Sequence, residues 1–159
     1  MSHFFQDIQV DHDIDLGPYT FTTETIKRFA TQYDPQPFHL DEEAARQSHF
    51  GALCASGWQT ASVWMRLYIL HCQREALKLQ TAHKPIAQMG PGLGMKNLRW
   101  LKPVYAGDTL HYFSRAVAKR PSESRPGWGL ITFRNWANNH DGTLVFECQT
   151  TALVQQRLS

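Results

Sequence analysis

Between Tyr33 and Asp41 the chain reads Tyr-Asp-Pro-Gln-Pro-Phe-His-Leu-Asp, and these are the residue types and spacing best suited to chemistry. Pro35 and Pro37 fix the backbone between Asp34 and His39, so a carboxylate and an imidazole are presented from a stiff loop at the end of a helix. Converging on one water, such a pair can orient it, take its proton and return a proton elsewhere, which is general acid/base work near neutral pH. The same spacing also fits a plain turn, with Asp34 closing a helix and His39 capping or lying on the surface, because Asp-Pro turns are common. A second candidate is Ala55-Ser56-Gly57-Trp58. If a helix begins there, its free N–H groups and the positive end of its dipole suit an oxygen that gains negative charge, and Gly57 lets a ligand approach without a side chain in the way. Taken alone, the stretch also reads as an N-cap serine followed by a packing glycine.

Other reactive residue types show no such pattern. His3, His12, His49, His71, His83, His111 and His140 form no HExxH or metal-ligand cluster, so no metal is expected. Ser56, Ser62 and Cys54 lack the context of a nucleophile elbow. The five tryptophans, among them Trp58 and Trp100, have no accompanying basic stripe and read as core or interface aromatics. Cys54, Cys72 and Cys148 are odd in number with no CxxC pair, which implies neither a disulfide framework nor a zinc cage and fits a reducing compartment. With 159 residues, 42% of them hydrophobic, the chain is expected to be a single domain over 1–159 with its own core. Its 16 Lys and Arg against 14 Asp and Glu leave a net charge of +2, too balanced for an electrostatic grip on nucleic acid. The amino-terminal stretch is acidic and does not read as a signal peptide, and no apolar run approaches the ~20 residues of a membrane span, so a cytoplasmic location is expected.

The elements that must position these residues follow from periodicity. Residues 1–16 are polar and irregular apart from Phe4, Phe5, Ile8 and Val10, and read as an irregular arm or partly ordered strand; Tyr19 to Phe21 is a short extended stretch. Thr22 or Thr23 can cap a helix over Glu24 to Gln32, and Asp41 a second over Glu42 to Gln47. From Ser56 the residues Trp58, Ala61, Met65, Tyr68 or Ile69, Cys72, Ala76 and Leu79 recur every three or four positions, predicting a long helix with one buried stripe. Beyond Pro85 the spacing changes to extended stretches at Gly94 to Trp100, Thr109 to Lys119, Leu130 to Asn138 and Leu144 to Gln155, with Gly90 to Gly94 as a flexible lead into the first. Helices followed by a run of antiparallel strands give an α+β fold, with one long helix lying across a curled sheet.

In order along the chain, Asp34-Pro35-Gln36-Pro37-Phe38-His39-Leu40-Asp41, Phe50-Gly51, Ala55-Ser56-Gly57 and Leu98 to Leu110 resemble the hydratase signature of the MaoC-like dehydratase family, which includes the R-specific enoyl-CoA hydratases. The resemblance implies a hotdog fold, in which the sheet wraps the long helix, and a homodimer joined sheet edge to sheet edge. It also implies addition of water to, or its removal from, an acyl thioester, with CoA as part of the substrate and no cofactor. By resemblance Asp34 and His39 hold the water and the Gly57 N–H polarises the thioester carbonyl. Gln36, Phe38, Ser56, Trp58, Ala61, Ser62 and Met65 are expected to line the substrate site, with Arg66, Lys96 and Arg99 meeting its phosphates. Two positions depart from the signature: Gln36 stands where an Asn is common, and Met65 where a serine supports the Asp in some members, leaving Thr60 or Ser62 as candidate substitutes. A hotdog thioesterase and a non-catalytic acyl-thioester-binding module are the alternatives.

Overall fold

In the computed structural model, which describes residues 2–157, the chain begins with a single 3-10 turn at Phe5–Asp7 and strand β1 (Asp13–Thr20). Helices α1 (Thr23–Tyr33), α2 (Pro37–Leu40) and α3 (Glu42–Gln47) lead to the long helix α4 (Gly57–Thr81). Strands β2 (Met89–Trp100), β3 (Thr109–Pro121), β4 (Trp128–Asn138) and β5 (Leu144–Gln155) complete one antiparallel sheet in the order β1-β3-β4-β5-β2. The sheet curls around α4, which is the α+β hotdog arrangement that the resemblance implies.

Alternation builds the inner face. Leu110, Tyr112, Ser114 and Ala116 of β3 and Ile131, Phe133, Asn135 and Ala137 of β4 are buried, while His111, Phe113, Arg115 and Arg134 lie on the opposite face. Buried polar residues on the inner face are paired: Ser114 donates to Asn135 Oδ1 at 2.7 Å, Asn135 donates to Thr150 at 3.0 Å, and Tyr112 donates to the Thr60 carbonyl at 3.2 Å. Against this face α4 buries Thr60, Ala61, Val63, Trp64 and Cys72. The stripe read from the sequence is therefore displaced. Trp58 and Met65 are 55% and 45% exposed, because the buried line runs through Ala61, Trp64 and Cys72 and those two sit on its flanks.

One local alternative is decided and two local expectations need correction. Of the two readings of the first 16 residues, the described residues 2–16 fit the partly ordered strand: β1 starts at Asp13, and the charges that made the segment look irregular lie on the outer face, where Asp13 pairs with Arg115 and Asp15 with His111. The lead at Gly90 to Gly94 belongs to β2, whose register against β5 breaks at Gly92 and Gly94; the latter, at φ +145°, takes a backbone shape that a side chain would oppose. Between Asp34 and His39 the stiff loop holds a helical turn, since Pro37 occupies the first position of α2, where a missing N–H costs nothing. Capping follows the sequence closely: Thr22 and Thr25 form a reciprocal capping box for α1, and Asp41 accepts from the Ala44 N–H for α3.

Candidate active site

Asp34 is the residue on which α1 ends, its N–H donating to the Ala30 carbonyl at 2.9 Å. α2 then turns His39 inward, leaving it 5% exposed. A separate stretch meets them. Residues 53–55 are tied to residues 104–106: Ala55 donates to the Val104 carbonyl at 2.7 Å, Ala106 to the Leu53 carbonyl at 3.1 Å, and Cys54 and Tyr105 form an isolated β-bridge. That anchoring aims the Cys54 carbonyl at His39 and delivers Ser56 as the N-cap of α4, where its Oγ accepts from the Trp58 N–H at 3.2 Å.

The hydrogen bonds decide the state of the imidazole. His39 Nδ1 lies 2.7 Å from the Cys54 oxygen, and a carbonyl only accepts, so Nδ1 carries the proton. In the neutral ring Nε2 is then the lone pair, and it lies 3.4 Å from Oδ2 of Asp34. Two acceptors at that separation are complementary to one shared proton or to one water that donates to both. On the carboxylate, partial burial pushes the pKa up, but the Ser56 hydroxyl, the Gln36 amide and the nearby His39 together outweigh it and hold Asp34 below its ordinary value. Gln36 Nε2 donates to Oδ1 at 2.8 Å. The support expected from Thr60 or Ser62 thus comes from Ser56 and Gln36 instead: Thr60 donates to the Ser56 carbonyl and Ser62 to the Trp58 carbonyl. At the start of α4, the Gly57 N–H donates to no group among the described residues, which leaves a free amide beside the pair.

These groups line one cavity of about 430 Å³. Asp34, Gln36, His39, Ser56 and Gly57 supply its polar wall, and Phe38, Phe50, Trp58, Trp100, Val104 and Val145 its apolar wall. Of the residues expected around the substrate, Gln36, Phe38, Ser56 and Trp58 are in this lining, and Ala61, Ser62, Met65, Arg66, Lys96 and Arg99 are not. Ala61 is buried in the core, Ser62 and Arg66 border a separate groove between α1 and α4, and Met65 faces another groove between α4 and β2. Lys96 is exposed on β2, and Arg99 pairs with Glu147, which also pairs with Arg134. The exposed lysine that does line the cavity is Lys102.

Among the lining residues that the sequence reading did not place in the site, two shape it most. Cys54 appears there only as a poor nucleophile, yet its carbonyl sets the tautomer of His39; nothing in its side chain signals a main-chain role. Trp100 ends β2 and lies across the start of α4, so that a methyl group at Gly57 would fall 2.5 Å from its Cδ2 and Cε2 atoms. The space beside Gly57, expected to be open for a ligand, is occupied by that indole. The signal available was the aromatic Trp100 at the head of the Leu101-Lys102-Pro103 turn, but its partner is distant in sequence.

A curled sheet on one long helix, with Asp34 and His39 beside a free helix amide, defines a hotdog-fold protein. The chain belongs to the MaoC-like dehydratase family: the MaoC like domain matches residues 7–126. The uncharacterized protein YdeM of Bacillus subtilis is 30% identical over 133 residues, covering 84% of this chain and 85% of that protein. Among solved structures, a MaoC-like dehydratase from Rhodospirillum rubrum is 36% identical with a TM-score of 0.79 and 99% of both chains covered. The R-hydratase PhaJ1 from Pseudomonas aeruginosa shares the fold at 17% identity, with a TM-score of 0.72 over 98% of this chain and 88% of that one.

Proposed function

We propose that the protein adds water to the C2=C3 bond of an enoyl thioester, or removes it from the 3-hydroxyacyl thioester, with CoA entering as part of the substrate and no cofactor taking part. The observation that carries this reading is the placement of His39 Nε2 3.4 Å from Asp34 Oδ2, with Nδ1 committed to the Cys54 carbonyl, on the wall of a cavity that also holds the free Gly57 amide. A water donating one hydrogen to each of Nε2 and Oδ2 turns an oxygen lone pair toward C3. As the C3–O bond forms, the π pair moves to C2 and charge gathers on the thioester oxygen, which accepts from the Gly57 N–H. The pair takes one water proton and delivers one to C2, so it ends as it began; dehydration is the reverse. Because Nδ1 is tied to a carbonyl, Nε2 is the imidazole atom that exchanges the proton.

The neighbour named as an R-hydratase supports this reaction class, and the apolar wall of the cavity suits an acyl chain. A homodimer joined along the β2 edge is part of the same reading, supported by the position of β2 at the rim of the sheet and by its exposed Leu93 and Met95. Three buried, unpaired cysteines suit a cytoplasmic setting; among the described residues no helix is long and apolar enough to cross a membrane.

Loss of enoyl absorbance from crotonyl-CoA and longer enoyl-CoAs tests the proposal. Asp34→Asn and His39→Ala are each expected to reduce kcat by ~10²- to 10⁴-fold with the fold intact by circular dichroism. Activity indifferent to both substitutions would overturn the assignment, and thiol release in the same cuvette would identify a thioesterase.

A further inference from the structure

We infer that Trp100 is a specificity-determining residue of this site, its indole forming one side of the slot in which the acyl group lies at the start of α4; the inference rests on the hydration reading above. Three observations meet on it. Gly57 has no side chain where a methyl group would fall 2.5 Å from Cδ2 and Cε2 and 2.8 Å from Cγ of Trp100, so the glycine accommodates the indole. The rings of Trp58 and Trp100 meet edge to face, 5.2 Å apart and at 75°. Both rings line the cavity that holds Asp34 and His39, yet they are 55% and 44% exposed, so they stand where that cavity opens to solvent.

The backbone of Trp100 is fixed while its side chain is less enclosed. Trp100 is in register with Phe146 of β5, and the next residue, Leu101, donates to the Val145 carbonyl at 2.8 Å. The wall is therefore attached to the sheet, and the amide it stands beside is attached to the helix. A thioester whose oxygen accepts from the Gly57 N–H has its C2 and C3 close to that amide, and hence close to the indole. A flat conjugated enoyl group can lie along an aromatic face, whereas a bulky or long acyl group must compete with the ring for room. The substrate class that follows is a short, slim enoyl thioester.

Two measurements separate this inference from the reaction it rests on. By calorimetry, butyryl-CoA is expected to bind wild type better than octanoyl-CoA, and Trp100→Ala to move the ratio of the two dissociation constants at least tenfold toward octanoyl-CoA; Trp100→Leu, a milder cut, should move it the same way. By enoyl absorbance, Gly57→Ala is expected to lower kcat/KM for crotonyl-CoA tenfold or more in wild type. In the Trp100→Ala background that penalty should shrink at least threefold, because the added methyl group then has no indole to displace. Ratios unchanged in both tryptophan variants, or an equal Gly57→Ala penalty in both backgrounds, would overturn the role of Trp100 even in an active enzyme. A shifted binding ratio in a protein that turns over no enoyl thioester would overturn hydration and leave the slot standing.

Discussion

Asp34 sits below its ordinary pKa against the upward push of burial, because Ser56, Gln36 and His39 favour its charged form. A depressed carboxyl keeps its charge down to a lower pH, so the acid limb of kcat/KM should fall below the usual carboxylate range. Removing one donor must move it upward: Ser56→Ala is expected to shift that limb to higher pH and to lower kcat at neutral pH, readable from a pH–rate profile with crotonyl-CoA. Cys54 gives the opposite case, since burial alone pushes its thiol to about 11. It should react slowly with iodoacetamide at pH 8 in the folded protein and at an ordinary rate in denaturant. At this scale the sequence was partly legible. Asp34, His39 and Gly57 could be singled out as candidates that share one cavity because their neighbours along the chain, two prolines and an N-cap serine, constrain them locally. Ser56 as the support of Asp34, and the Cys54 carbonyl as the partner of His39, were hidden because each contact joins segments that only the fold brings together.

Helix boundaries were the most readable elements, since caps are local signals: Thr22, Asp41 and Ser56 each stand where the side chain can meet the first turn. Thr22→Ala is expected to cost ~1 kcal/mol in urea unfolding, and Thr22→Ser to restore most of it. The first substitution loses the bond from the Thr25 N–H to the Thr22 hydroxyl and keeps the reciprocal one from the Thr22 N–H to Thr25 Oγ1, whereas serine keeps both. Strands were less readable at their ends. β1 carries Asp13 and Asp15 on a face that meets Arg115 and His111 rather than the core, so its polarity concealed its pairing. β2 carries glycines at irregular register, so its first half had no alternation to detect. The phase of α4 shows a similar limit: a three-or-four repeat locates an apolar side, but Trp58 and Met65 on its flank count toward that side while serving other surfaces.

For the whole molecule, a long helix across a curled antiparallel sheet was readable from the pattern, whereas the strand order β1-β3-β4-β5-β2 was not, because alternation marks a strand without naming its neighbours. The proposed dimer makes a definite prediction at this scale. Light scattering should give twice 18.3 kDa, and Leu93→Lys, on the rim strand, should shift the population toward one chain. Every group assigned to the water, the carboxylate and the free amide has been translated by Gly57, well before the strands that hold them. Those groups stay unaligned until residues 104–106 close against residues 53–55 and bring the Cys54 oxygen to His39. A fragment ending after α4 would thus contain each reactive atom and catalyse nothing. During synthesis, competence should arrive abruptly and late, with the closing of a long-range contact rather than with the emergence of any one residue.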